Sequence, residues 1–173
     1  MQNLTKVVLG LSALFSLGSA QAVDEIYVDG GVLLHPTGKS FPSAIDAGLG
    51  WSLPWTWSGG ALISRFDLGL GLIRNKDNDI WSLQAMPVLR YQPATAQHGI
   101  FAELGIGLTY IDKTLFTARH DMGSHLQFEE RLGVGYDYFD HAVSINFSHI
   151  SNAGLAQPNP GANIASIRYT KTF

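Results

Sequence analysis

The chain has 173 residues, no cysteine and a formal charge of −3, with 46% hydrophobic and only 14% charged residues. That length fits one domain, the missing cysteines exclude disulfides, and no basic excess points to nucleic acid. Charge this sparse is unusual for a surface that faces water.

Residues 1–22 read as a secretory signal. Lys6 supplies the positive start, residues 7–17 an apolar run, and Ala20-Gln21-Ala22 a small-x-small cleavage site. Cleavage after Ala22 removes one Lys and no acid, so the exported chain, residues 23–173, is one unit more negative. No later stretch approaches 18 uninterrupted apolar residues, so no second segment crosses a membrane as a helix.

From Glu25 onward the pattern is of strands divided by turns. The first is predicted at 25–35, ended by Pro36-Thr37-Gly38-Lys39, and the second at 43–53, closed by Pro54-Trp55-Thr56-Trp57-Ser58-Gly59. The third, 60–74, sets Leu62, Leu68, Leu70 and Leu72 opposite Arg65, Asp67, Gly69 and Gly71. The fourth, 79–91, carries Pro87, a fault in a strand interior. The fifth, 98–111, alternates Ile100, Ala102, Leu104, Ile106 and Leu108 with Phe101, Glu103, Gly105, Gly107 and Thr109. A polar loop follows, and then the sixth strand, 124–138. There Glu130 interrupts the apolar phase of Leu126, Phe128, Leu132, Val134 and Tyr136, as a bulge or an outward polar spot does. The seventh strand is predicted at 142–151 and the eighth at 163–173, after a loop through Ala162.

Eight strands with no helical pattern predict an all-β fold, an eight-stranded antiparallel transmembrane β-barrel. Closure pairs every backbone group with no open edge, which hydrocarbon requires. The terminal Phe173 behind alternating hydrophobics resembles the assembly signal of outer-membrane barrels, and Trp51, Trp55 and Trp57 suit an interfacial girdle. A soluble carrier barrel is the alternative, with the apolar faces inside. Against it, Gly69, Gly71, Gly105, Gly107, Gly133 and Gly135 share a phase with Arg65, Glu103 and Arg131, as a narrow polar interior needs. Those interior charges read as structural pairs.

With a periplasmic N-terminus, the seventh strand ends at the outer surface. Val143, Ile145, Phe147, His149 and Ser151 share its lipid-facing side, so a base and a hydroxyl close an apolar face at i and i+2, about 7 Å apart along the strand. A neutral imidazole within reach makes a serine nucleophilic. Asn152, Asn159 and the backbone around Gly154 are candidate donors to an oxyanion. Spacing alone is a weak signal, because a girdle histidine and a loop-starting serine give the same pattern. No two histidines share a face at metal-ligand spacing, and neither metal nor cofactor is expected.

The run Ser148-His149-Ile150-Ser151-Asn152-Ala153-Gly154-Leu155, with Gln157-Pro158-Asn159 after it, resembles the signature of the lipid A 3-O-deacylases. Phe128-Glu129-Glu130-Arg131-Leu132-Gly133 and Phe101-Ala102-Glu103-Leu104-Gly105 are similar to strands of the same family. The resemblance implies an outer-membrane esterase acting on lipopolysaccharide, releasing the fatty acid held at the 3-position of lipid A. It would make Ser151 the nucleophile, His149 the general base, Asn159 an oxyanion donor and Phe128 a support, with Asn152 assisting or shaping the oxyanion hole. It also implies a Glu 14 residues after the histidine, where this chain has Asn163. The third member is therefore open between Asn163, Glu129 and Glu130, and a homodimer stays open as the assembly. The rival reading is a non-enzymatic outer-membrane barrel, an adhesin or structural protein, working through its loops.

Overall fold

The computed structural model describes residues 22–34, 41–57, 59, 61–74, 78–93, 98–117 and 120–173. Apart from Ala22, the expected leader lies outside them, as does most of the turns expected at 36–39 and 75–78.

The described residues form ten strands: β1 (Glu25–Leu33), β2 (Ser43–Trp57), β3 (Leu62–Arg74), β4 (Asp79–Tyr91), β5 (Gly99–Ile111), β6 (Leu115–Thr117), β7 (His120–Asp121), β8 (Leu126–Tyr138), β9 (His141–Ser151) and β10 (Ala162–Thr172). Eight of them close a barrel in the order β1-β10-β9-β8-β5-β4-β3-β2, and β6 and β7 form a separate two-stranded sheet. Each barrel strand pairs antiparallel with its neighbours, and β1 closes on β10 from Glu25↔Thr172 to Leu33↔Ile164.

Strand alternation decides which side chains meet which medium. Leu70, Ile100, Leu132 and Ile145 point outward and are 59–69% exposed, whereas Arg65, Asp67, Glu103 and Arg131 point inward and are 1–5% exposed. That sense excludes the soluble carrier, whose apolar faces would be inside. The interior is tight enough to need glycine. Gly48 and Gly69 face each other across β2 and β3 beneath the Tyr27 ring, and a Cβ at either would overlap it.

Polar groups fill the middle of the barrel. Asp67 accepts bonds from Arg65 Nε at 2.6 Å, Arg131 Nη2 at 2.8 Å and Arg168 Nη1 at 2.8 Å. Glu103 Oε1 accepts from Arg90 at 2.7 Å and Arg65 at 3.1 Å, and Arg168 Nε reaches Asp29 at 2.8 Å. Such pairing offsets the cost of removing charge from water. The Arg168 guanidinium also lies 3.8 Å from the centre of the Tyr27 ring.

The end at which β9 finishes is filled differently. Leu33, Ile73, Ile80, Ile111, Ile150 and Ala162 pack there with Phe116 and Met122 into one apolar cluster. Phe116 lies on β6 and Met122 directly follows β7, so this small hairpin stoppers the barrel. The sequence alone predicts a polar loop here; the structure instead forms a short hairpin, too brief to show a strand period. After β7 the chain bends toward β8 at Gly123 (φ 70°), whose N–H donates to Asp121 Oδ1 at 2.9 Å. That bond, with the Thr114 hydroxyl, holds the Asp121 carboxyl below its ordinary range.

Two further departures have local causes. β2 continues through Pro54 to Trp57, because a register shift between Ser52 and Thr56 absorbs the irregularity and pairing with β3 resumes at Thr56↔Ile63. β4 runs unbroken past Pro87, which pairs with Phe66 on β3, while the ladder to β5 omits Met86 and Pro87. The proline thus faces the side on which a donor is dispensable.

Candidate active site

β9 carries His149 and Ser151 outward and Ser148 and Ile150 inward, with Ile150 anchored in the apolar cluster. The register then selects their neighbours. His149 stands opposite Glu130 on β8 and opposite Asn163 on β10, so the three outward side chains form a row across three strands. Ser151 lies one step nearer the barrel end, opposite Phe128. His149 Nδ1 is 2.8 Å from Asn163 Oδ1. An amide oxygen only accepts, so Nδ1 carries the proton and Nε2 presents its lone pair.

Of the three residues considered for the partner of His149, the structure brings two to it. Glu129 is corrected by alternation: it points into the barrel, is 3% exposed, and accepts the Thr109 hydroxyl at 2.6 Å. Glu130 does reach the row, on the other side of His149 from Asn163, and it is exposed.

The chain leaves β9 through a tight reversal. Ala153 (φ 54°) and Gly154 (φ 79°) are both left-handed, and Leu155 N donates to Asn152 O at 3.0 Å, which makes Asn152–Leu155 a type I′ turn. Alanine is uncommon in that region of the backbone map. Asn152 offsets the cost as a buried hub. Its Oδ1 accepts from Gly154 N at 2.9 Å, and its Nδ2 donates to Met122 O at 2.9 Å and Pro158 O at 3.3 Å. Asn152 N donates to Asn159 Oδ1 at 3.0 Å.

These bonds sort the candidate donors. The Asn152 amide is 1% exposed and committed to the loop, so of its two expected roles the geometry fits shaping. The Gly154 N–H is likewise occupied by Asn152 Oδ1. Among the described residues, the Ala153 N–H is the amide of the turn left without an internal acceptor. Asn159, held by its oxygen, keeps its Nδ2 hydrogens for another acceptor. The expected backbone donor around Gly154 narrows to the Ala153 N–H, because which amide stays available follows from which neighbours are already bonded. The segment expected as a polar loop instead contributes the β6–β7 hairpin, and the Met122 carbonyl that follows it fixes the hub.

Residues 43–172 match the family model described as lipid A 3-O-deacylase (PagL). The chain belongs to this family. Two curated relatives are named lipid A deacylase PagL. The protein from Pseudomonas aeruginosa is 31% identical over 170 residues, 95% of this chain and 97% of the relative. That from Bordetella bronchiseptica is 33% identical over 95 residues, 54% of this chain, and the match spans about half (51%) of the relative's length. The crystal structure of the outer membrane enzyme PagL superposes with a TM-score of 0.74 at 27% identity, covering 86% of this chain and 99% of that one. The PagL family model runs from the first residue of β2 to the last of β10, so it takes in the whole row of Glu130, His149 and Asn163 as well as Ser151.

Proposed function

We propose that this chain is an outer-membrane esterase that hydrolyses the ester at the 3-position of lipid A by a serine–histidine mechanism. One observation carries the mechanism: an outward histidine with Nδ1 held by Asn163 Oδ1, two residues before a serine on the same lipid-facing edge, in a PagL-family barrel. A site on the outside of the barrel suits a substrate that is itself a membrane lipid.

In this reading His149 Nε2 takes the Ser151 Oγ proton as the oxygen attacks the acyl carbonyl. The carbonyl oxygen becomes an anion, and the Ala153 N–H and Asn159 Nδ2, not taken up by the loop's own bonds, are the donors this reading assigns to it. Collapse breaks the bond to the sugar oxygen, which takes the proton back from His149 and leaves the acyl group on Ser151. Water, deprotonated by the same imidazole, then attacks the acyl-serine and releases the 3-hydroxy fatty acid and the free serine. Asn163 fixes the tautomer but, being neutral, stabilises the imidazolium less than a carboxylate does.

Ser151→Ala and His149→Asn are expected to abolish loss of the 3-linked chain, by about 10⁴-fold or more, while the barrel keeps its heat-modifiable migration. Lipid A mass spectrometry of cells carrying each variant reads this directly. Full deacylation by both variants would overturn the mechanism.

A further inference from the structure

Gly161, the last residue before β10, is buried and has φ 65°. A left-handed glycine in a turn usually needs no further reason. Gly59 is such a case, with φ 66° and nothing within 4 Å of where a Cβ would stand. At Gly161 the same construction puts a Cβ 2.8 Å from His149 Cε1 and 3.3 Å from His149 Nε2. The imidazole therefore lies over the bare α-carbon of this residue. The register explains why. β9 and β10 pair His149↔Asn163 and Ile150↔Ala162, so one further step sets Gly161 level with Ser151. The ring is tethered to Asn163 at Nδ1 and leans along β10, which carries its Nε2 edge from the level of His149 to the level of Ser151.

We propose that Gly161 is a positioning residue for His149: its missing side chain is the space that lets the imidazole present Nε2 to Ser151. The proposal rests on the esterase reading above. A Cβ closer than 3.0 Å to a ring carbon forces something to move. The Gly161 backbone runs directly into the β9–β10 ladder, which begins at Ala162↔Ile150, whereas the ring is the far end of a side chain, so the ring yields. It then loses its aim at Ser151, its bond to Asn163, or both. A misplacement of about 1 Å in a reacting group costs on the order of 100-fold in rate.

The test uses the full-length barrel in detergent with lipid A as substrate. Gly161→Ala adds the methyl group, and Gly161→Asn adds a Cβ on a residue that tolerates a left-handed backbone. Both are expected to keep heat-modifiable migration and to lower kcat by about 100-fold with KM unchanged. Labelling of Ser151 by a fluorophosphonate, which needs the same base and no lipid, should slow in parallel. Gly59→Asn places the same residue on an equally left-handed backbone with open space around it, and should match the wild type. Wild-type kcat in Gly161→Asn, a loss confined to KM, an equal loss in Gly59→Asn, or failure of both Gly161 variants to fold would each overturn the proposal. The esterase reading fails separately, through an active Ser151→Ala.

Discussion

The barrel has two polar regions, and they are built on opposite rules. Inside, Asp67 collects three guanidinium groups and is 1% exposed, and Glu103 holds two more contacts. Outside, His149 makes one side-chain bond, to Asn163 at 2.8 Å, and stands partly open beside Ser151. The inner carboxylates of Asp67 and Glu103 are held by guanidinium groups from several strands, so they tie the wall together, although the buried Asp46 carboxylate has no hydrogen-bond partner among the described residues. The outer row is left one partner short, with an imidazole lone pair and a hydroxyl turned toward the surrounding lipid. The ion pairs inside therefore read as structure in this chain, and the proposed chemistry falls to the incompletely paired groups on the apolar face.

The sharpest way to break that contrast is at Asp67. Asp67→Asn keeps the shape but removes the charge shared by Arg65, Arg131 and Arg168. Leaving buried cations uncompensated should cost about 3–5 kcal/mol of stability, read as a lower urea midpoint of the purified barrel, while the fraction still folded keeps wild-type kcat. An unchanged midpoint, or a loss of kcat in the folded fraction, would show that the two regions are not separate in the way proposed.

The next effect belongs to the outer row. Asn163→Ala removes the acceptor for His149 Nδ1–H and frees the ring to turn. A fall in kcat of about 100-fold, equivalent to about 2.7 kcal/mol, is expected on lipid A, with the urea midpoint unaltered. Asn163→Asp should move the other way, raising kcat by about tenfold, because a carboxylate both orients the ring and stabilises the imidazolium. If both variants match the wild type, the 2.8 Å contact plays no part in the reaction.

How much of this the sequence revealed depends on which physical rule placed each residue. Inward and outward faces of β3, β5 and β8 were legible because alternation is a local rule that needs no partner strand. The same rule already separates Glu129 from Glu130, yet it does not say which strand positions stand beside His149. That is a matter of register, set by the pairings Glu130↔His149 and Asn163↔His149. The Asn152 hub was harder still, since its partners include Met122 O, 30 residues away on a hairpin too short to show any periodicity. Pro54 read as a strand terminator because one strand alone cannot reveal that its neighbour accommodates a bulge.

Glu130 offers the smallest effect and the finest division of the row. It faces His149 from β8 on the exposed outer wall, and with the row set at the margin of the lipid, where water and ions reach the carboxylate, its field on the imidazolium is weakened. Glu130→Gln should lower kcat only about two- to threefold at low ionic strength, and the difference should vanish in about 1 M salt, where the screening length falls to roughly 3 Å. A hydrogen-bonded partner behaves otherwise, because contact at 2.8 Å leaves no room for screening ions, so the deficit of Asn163→Ala should persist at every salt concentration. A 100-fold, salt-insensitive loss in Glu130→Gln would reverse the assignment and make the exposed carboxylate the group on which His149 depends. The salt series on these two variants thus separates a charge acting across solvent from a bond that fixes a ring.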